Sequence, residues 1–284
     1  MGMLGLKIDV DTYAGMKRGV PALLRILAEF KVKATFFLSI GPDNSGRAAL
    51  QLIKNPLFLK KMMRTNAPGL YGWRTAFYGT LLKAPLIALS FPDIVGEILD
   101  DGHEVQFHAW DHRRWQDELP HKSADWVKDW FAKGIAGFEK ITGAKPTAFG
   151  APSWLIDERV LRIVGEYEFA YLSCTRARSP FIHEIANILE IPSDLPCFEE
   201  LDRSTAVTTL AGLINDGGDH VLPVHAEVEG GILQNQFREL LSAVCGGVSL
   251  LPLRELKDKL KISELPVRKY RMELLRGRHS PCAV

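Results

Sequence analysis

Short apolar runs alternate with helical patterns along most of the chain, and this alternation most limits the folds open to it. Leu4–Val10 reads as a buried strand ending at Asp11, and Arg18–Phe30 as a helix with Val20, Leu23, Leu24 and Leu27 on one face. Ala34–Leu38 and Glu104–Phe107 read as the next strands, the second entered through Asp101-Gly102 after a helix over Pro92–Asp101. Ser123 is placed to cap a helix that runs to Thr142 and stops at Gly143. Further strand-like runs lie at Thr147–Ala151, Phe169–Ser173, Ile188–Ile191, His220–Val224 and Val248–Leu251. Strands alternating with helices imply βα units and a mostly parallel sheet. The expected fold class is α/β, an incomplete (β/α) barrel of about seven parallel strands. One catalytic domain over residues 1–262 is expected, with a mainly helical insertion at about 44–92 and a basic C-terminal tail at 263–284.

Composition narrows the function classes. Thirty-five Lys and Arg against 34 Asp and Glu leave a net charge of +1, which argues against a dedicated nucleic-acid binder. Cys174, Cys197, Cys245 and Cys282 are too scattered for a disulfide framework or a zinc ribbon. The opening stretch lacks the apolar core of a secretory signal, and no run is long enough for a transmembrane helix, so a cytoplasmic location is expected.

Three strand ends carry polar residues with chemical potential. In Lys7-Ile8-Asp9-Val10-Asp11, Asp9 and Asp11 share one face of a strand, and two adjacent carboxylates call for a cation or a shared proton. Capping of the following loop is the plain structural alternative. In His108-Ala109-Trp110-Asp111-His112, the histidines stand at i and i+4, metal-ligand spacing on one face of a helical turn. His103 lies towards the opposite end of that strand and is left out. His225 ends a third strand and is followed by Glu227 and Glu229. Each pattern alone is weak, but together they bring two Asp and three His to the ligand-binding ends of strands. Two His and one carboxylate leave positions open on a divalent metal such as zinc, cobalt, manganese or iron(II). The remaining Asp and His are then a base and an acid, a set suited to metal-assisted hydrolysis.

The order of these motifs resembles the polysaccharide deacetylase family, also called NodB-homology or carbohydrate esterase family 4. The resemblance implies a distorted (β/α) barrel and one divalent ion held by Asp11, His108 and His112. It also implies Asp9 as catalytic base and His225 as catalytic acid. KIDVDTY, Thr35–Arg47, Leu70–Trp73, HAWDHRRWQ and His225–Gly231 resemble one branch, which removes the formyl group from 4-deoxy-4-formamido-L-arabinose on an undecaprenyl phosphate carrier. That branch implies a role in lipid A modification and resistance to cationic peptides. The alternatives are an N-deacetylase of another amino sugar or polysaccharide, and a binding protein without turnover; intact Asp9 and His225 argue against the last. The family's third motif usually begins with an Arg that contacts the base aspartate, where this chain has Gly150. Arg176 is expected to reach in as its replacement. Trp110, Trp154, Glu227 and Glu229 are further candidates for substrate contact or support of the site.

The stretch from Asn44 to Pro92 has no Asp or Glu but carries Arg47, Lys54, Lys60, Lys61, Arg64, Arg74 and Lys83 among many apolar and aromatic residues. That composition suits a segment lying in an anionic membrane interface. The alternative is a helical subdomain whose acidic partners come from elsewhere in the fold. A lipid-linked substrate implies peripheral contact with the inner face of the bacterial inner membrane. The tail Arg268–Arg278 adds further basic residues and is expected to pack loosely. Each Lys or Arg near an anionic surface contributes about 1 kcal/mol to binding. Replacing Lys60, Lys61 and Arg64 together with Glu should therefore release the protein from anionic vesicles in a co-sedimentation assay. Wild-type sedimentation by the folded triple variant would contradict the interfacial reading.

Overall fold

The computed structural model describes residues 2–47, 78–278 and 280–284. Strand β1 (Met3–Val10) leads through a π-helical turn at Gly15–Gly19 into helix α1 (Val20–Phe30) and strand β2 (Thr35–Ser39). Helix α2 (Pro92–Asp100), strand β3 (Glu104–Ala109), helix α3 (His112–Glu118) and helix α4 (Ala124–Thr142) follow. Next come strand β4 (Ala148–Phe149), helix α5 (Glu158–Val164), strands β5 (Tyr171–Leu172), β6 (Phe181–His183) and β7 (Leu189–Glu190), and helix α6 (Ala206–Ile214). The sequence continues with strand β8 (His220–His225), helix α7 (Gln234–Val244), strand β9 (Ser249–Leu251), helix α8 (Leu253–Lys259), strand β10 (Val267–Arg268), strand β11 (Met272–Glu273) and strand β12 (Cys282–Ala283).

Seven strands run parallel in the order β8-β1-β2-β3-β4-β5-β7, and β9 pairs with the start of β1. The sheet curls but does not close, a half-barrel with helices outside, as the alternation of elements predicts. Beyond β7 it turns irregular: β6 pairs antiparallel with β7, and β10 extends it beside β6. These short strands have no signature in the sequence pattern.

The pleat of each strand sorts its side chains. On β1, Leu4, Leu6, Ile8 and Val10 join the large core under the outer helices, whereas Lys7, Asp9 and Asp11 fall on the opposite face, inside the curl. Phe37, Tyr171, Val221 and Leu251 belong to a second apolar cluster on that inner side. Phe107, Trp115, Trp130, Phe131 and Phe149 pack together beneath β3 and β4, with Trp115 and Trp130 ring centroids 4.3 Å apart. Full burial of one such ring contributes roughly 1.5–3 kcal/mol, so this cluster fixes the strand that ends at the HAWDH motif. Ser123 accepts a hydrogen bond from Trp126 N–H to start α4, and Gly143, at φ 76°, stops it, both as the sequence predicts.

Two loops meet above β1 and β8. The Asp9 carbonyl accepts a hydrogen bond from Ala226 N–H at 2.9 Å. A Cβ on Gly19 would overlap the Ala226 carbonyl, so the turn after β1 presses on the loop after β8. Residues Arg268–Arg278 are mostly exposed, but the stretch is tied down at points along it. Met272–Glu273 pairs antiparallel with Cys282–Ala283, and Arg176 N–H donates to the Ala283 carbonyl at 2.7 Å. Burial of Cys282 and Ala283 supplies the apolar contact that holds it.

Among the described residues no helix is long and apolar enough to cross a membrane. Most of the acid-free insertion, including Lys54, Lys60, Lys61, Arg64, Arg74 and the Leu70–Trp73 motif, lies outside the described residues. Arg47 at its edge meets Glu118 on α3 at 3.0 Å, an acidic partner from elsewhere in the fold.

Candidate metal centre and active site

The ends of β1, β3 and β8 converge on one polar pocket of about 180 Å³ lined by Asp9, Asp11, His108, His112 and His225, among others. His108 sits on β3 itself and His112 is the first residue of α3, so the expected single helical turn does not hold. The chain bends between them at Trp110 and Asp111. Asp111 caps α3 by accepting Arg114 N–H at 3.0 Å, and its other oxygen accepts from Asn44 at 2.6 Å. That cap aims His112 back at its partner, leaving the two imidazole centroids 5.1 Å apart.

His108 Nε2 lies 3.1 Å from one oxygen of Asp11, and His112 Nε2 lies 3.3 Å from the other. His108 Nδ1 donates to the Gly150 carbonyl at 2.7 Å, so that in the metal-binding, neutral form of the ring the lone pair lies on Nε2, facing a carboxylate oxygen. Both of those facing atoms are buried without a hydrogen-bond partner. Two acceptors at that distance repel unless a cation lies between them, so the donor set fits a divalent ion. One ligand atom from each of Asp11, His108 and His112 lies within 4.8 Å of the others. Burial pulls the His112 imidazole down to about 4, against the opposing pull of Asp11, so it is neutral at pH 7.

Asp9 is buried beside this set. Its partner is Lys7 rather than Arg176: Lys7 Nζ is 2.6 Å from Asp9 Oδ1 and also contacts Oδ2. Arg176 is held elsewhere by Glu200, at 2.9 and 3.0 Å, and by the Ser193 and Leu195 carbonyls. Gly150 cannot carry a side chain without disturbance, since its Cβ would meet the Phe37 ring at 2.9 Å. Its carbonyl is committed to His108.

On the far wall, His225 Nδ1 pairs with Glu199 at 2.8 Å, and its backbone N–H donates to Glu229 at 2.6 Å. Burial opposes the imidazolium, but Glu199 outweighs it and lifts His225 well above 6.5. Burial pushes the Glu229 carboxyl up to about 8, so it is protonated at neutral pH. Glu227 borders the pocket, and its Oε2 is buried without a partner. Trp154 meets His225 edge-on at 6.2 Å and lies under both Arg176 and Arg278. Ser153 and Trp154 are both left-handed, with φ 54° and 53°, a conformation uncommon for such residues and concentrated at functional sites. Trp110 is packed against Gly41 and is not among the lining residues. Arg176 and Glu229 likewise stand behind the wall.

Sequence reasoning missed Lys7, Glu199 and Arg278. Lys7 had a signal, a basic residue inside an apolar strand and in phase with two aspartates. Glu199, in the turn Phe198–Glu200, and Arg278, from the C-terminal stretch, reach the pocket only through the tertiary fold.

A model of the polysaccharide deacetylase family matches residues 8–172. The chain is 36% identical over 262 residues to a protein of Shewanella sediminis (strain HAW-EB3), covering 90% of this chain and 86% of the relative. That relative is named "Probable 4-deoxy-4-formamido-L-arabinose-phosphoundecaprenol deformylase ArnD". A Wigglesworthia glossinidia brevipalpis protein of the same name is 32% identical over 276 residues, covering 93% of this chain and 96% of the relative. A crystal structure of a Mycobacterium smegmatis protein described as a "putative polysaccharide deacetylase" shares the fold with a TM-score of 0.65 at 19% identity, over 96% of this chain and 94% of that one. The chain belongs to the polysaccharide deacetylase family. It is a hydrolase of an amide C–N bond, with a deformylase or deacetylase role.

The Glu199–His225 pair makes a pH prediction. Glu199→Gln removes the main carboxylate that favours the imidazolium, leaving only Asp11 and Glu229 to oppose burial, so the His225 value falls. The alkaline limb of the kcat/KM profile should move down, with activity at pH 8 falling at least about tenfold more than activity at pH 5.5. An unmoved alkaline limb would show that His225 does not act as a protonated group.

Proposed function

We propose that this hydrolase removes the N-formyl group from 4-deoxy-4-formamido-L-arabinose on an undecaprenyl phosphate carrier, in lipid A modification. One observation carries the reading. Asp9, Asp11, His108, His112 and His225 share one pocket, in a chain 36% identical to a relative named for that deformylation. Asp11, His108 and His112 hold a divalent ion. When bound, that ion polarises the formyl carbonyl and makes a water more acidic. Asp9 accepts the proton of the attacking water. His225, kept as imidazolium by Glu199, donates a proton from its ring to the sugar nitrogen as the C–N bond breaks. Water and the formamide thus give formate and a free 4-amino sugar. Glu227 and Trp154 border the sugar, and the unpartnered Glu227 oxygen suits a hydroxyl group. The acid-free stretch around 44–92 gives the enzyme peripheral contact with the anionic membrane that carries its substrate.

The second reading is an N-deacetylase of another amino sugar, and the family model supports it. Product analysis on the formamido-arabinose lipid against an N-acetyl sugar separates the two. Formate from the first and little acetate from the second are expected, and the reverse would overturn the proposal. Asp11→Ala, His108→Ala and His112→Ala should each lose most bound metal by elemental analysis. Asp9→Asn and His225→Ala should keep it while turnover falls by about 10²–10⁴-fold.

A further inference from the structure

Lys7 has an unusual place for a lysine. Its side chain is 0% exposed and that of Asp9 4%, so neither charge reaches bulk water. Its Nζ lies 5.0 Å from the Phe37 ring centroid and 5.4 Å from that of Trp154. A buried ammonium in such surroundings is tolerated only when a counter-charge is held close. Asp9 supplies that charge with both oxygens. Two other cations near the pocket are committed elsewhere, since Arg176 and Arg278 both bond Glu200. At Gly150 the Phe37 ring occupies the space a side chain would need.

The pleat makes this pairing a consequence of sequence. Lys7 and Asp9 are two apart on β1, so their side chains leave the same face and meet along it. The backbone of Lys7 is held between two strands, in register with Thr35 on β2 and Pro223 on β8. A carboxylate gripped through both oxygens from within one strand has little freedom to rotate.

We propose that Lys7 is a positioning residue, holding the Asp9 carboxylate in the orientation that receives a proton. The proposal rests on the reading of Asp9 as the base. It differs from a purely structural ion pair in what it demands of kinetics. A structural pair, once lost, lowers stability and spares turnover in the molecules that remain folded. A positioning pair lowers kcat in molecules that are folded and metal-loaded.

The test measures formate release from the formamido-arabinose lipid by purified, metal-loaded variants, with metal content and thermal unfolding recorded for each. Lys7→Met should lower kcat at least about 100-fold, with KM within about threefold and metal content unchanged. Lys7→Arg should recover at least about a tenth of wild-type kcat, because a guanidinium can also bridge two carboxylate oxygens. Adding Lys7→Met to Asp9→Asn should cost no more than about threefold beyond Asp9→Asn alone, since Lys7 acts through Asp9. Should Lys7→Met fail to fold, Lys7→Gln, which keeps a donor without the charge, carries the same expectation. Near-normal kcat in a folded Lys7→Met or Lys7→Gln, with Asp9→Asn inactive, overturns the role of Lys7 and leaves the base in place. Near-normal kcat in Asp9→Asn overturns the base reading itself.

Discussion

Everything at this site depends on the alternation of side chains along one strand. The apolar residues of β1 are spent on the outer core, and Lys7, Asp9 and Asp11 are thereby sent together into the curl of the sheet. Burying three charges side by side is unfavourable unless each finds a counter-charge. Lys7 answers Asp9 directly. Asp11 is faced by Nε2 of His108 and Nε2 of His112, at 3.1 and 3.3 Å, a donor set that fits a cation. The strand that builds the core thus also creates the demand for the metal.

The surrounding fold meets that demand from two directions. Asp111 caps α3 and turns His112 inward, while the Gly150 carbonyl fixes the tautomer of His108. Across the pocket, the close approach of Gly19 to the Ala226 carbonyl brings the His225 loop against β1. The two histidine environments are driven apart by their neighbours. Burial leaves His112 neutral and ready to donate a lone pair, and Glu199 leaves His225 charged and ready to donate a proton. The proposed ion site, base and acid can therefore share one pocket at the same pH.

Much of this was legible in the sequence, for a physical reason. A period-two pattern states which residues leave a strand on one face, so Asp9 and Asp11 could be paired before any coordinates. Strand ends followed by polar residues mark where ligands bind in βα folds. His108 and His112 could be chosen as partners although their shared helical turn was wrong, because a strand end and the first residue of a helix also face one another across a tight bend. The failures concern contacts far apart in the chain. Arg176 had the right charge for Asp9, but Glu200 and two carbonyls compete for it, and nothing local announces them. Glu199 comes from a turn after β7 and Arg278 from the C-terminal stretch, whose packing rests on burial of Cys282 and Ala283. The antiparallel β6 strand has only three residues, too few to show a period.

The central claim is that Asp11, His108 and His112 form the ion site, with Asp9 next to it and His225 across from it. Anomalous diffraction from crystals loaded with zinc or cobalt tests it directly. The account predicts one peak within bonding distance of the Asp11 carboxylate and of Nε2 on both His108 and His112. Cys197, Glu199 and His225 also bring three ligand atoms within 4.8 Å of one another, and so offer a rival position. A peak at that rival cluster, or none at the first under full loading, would contradict the account.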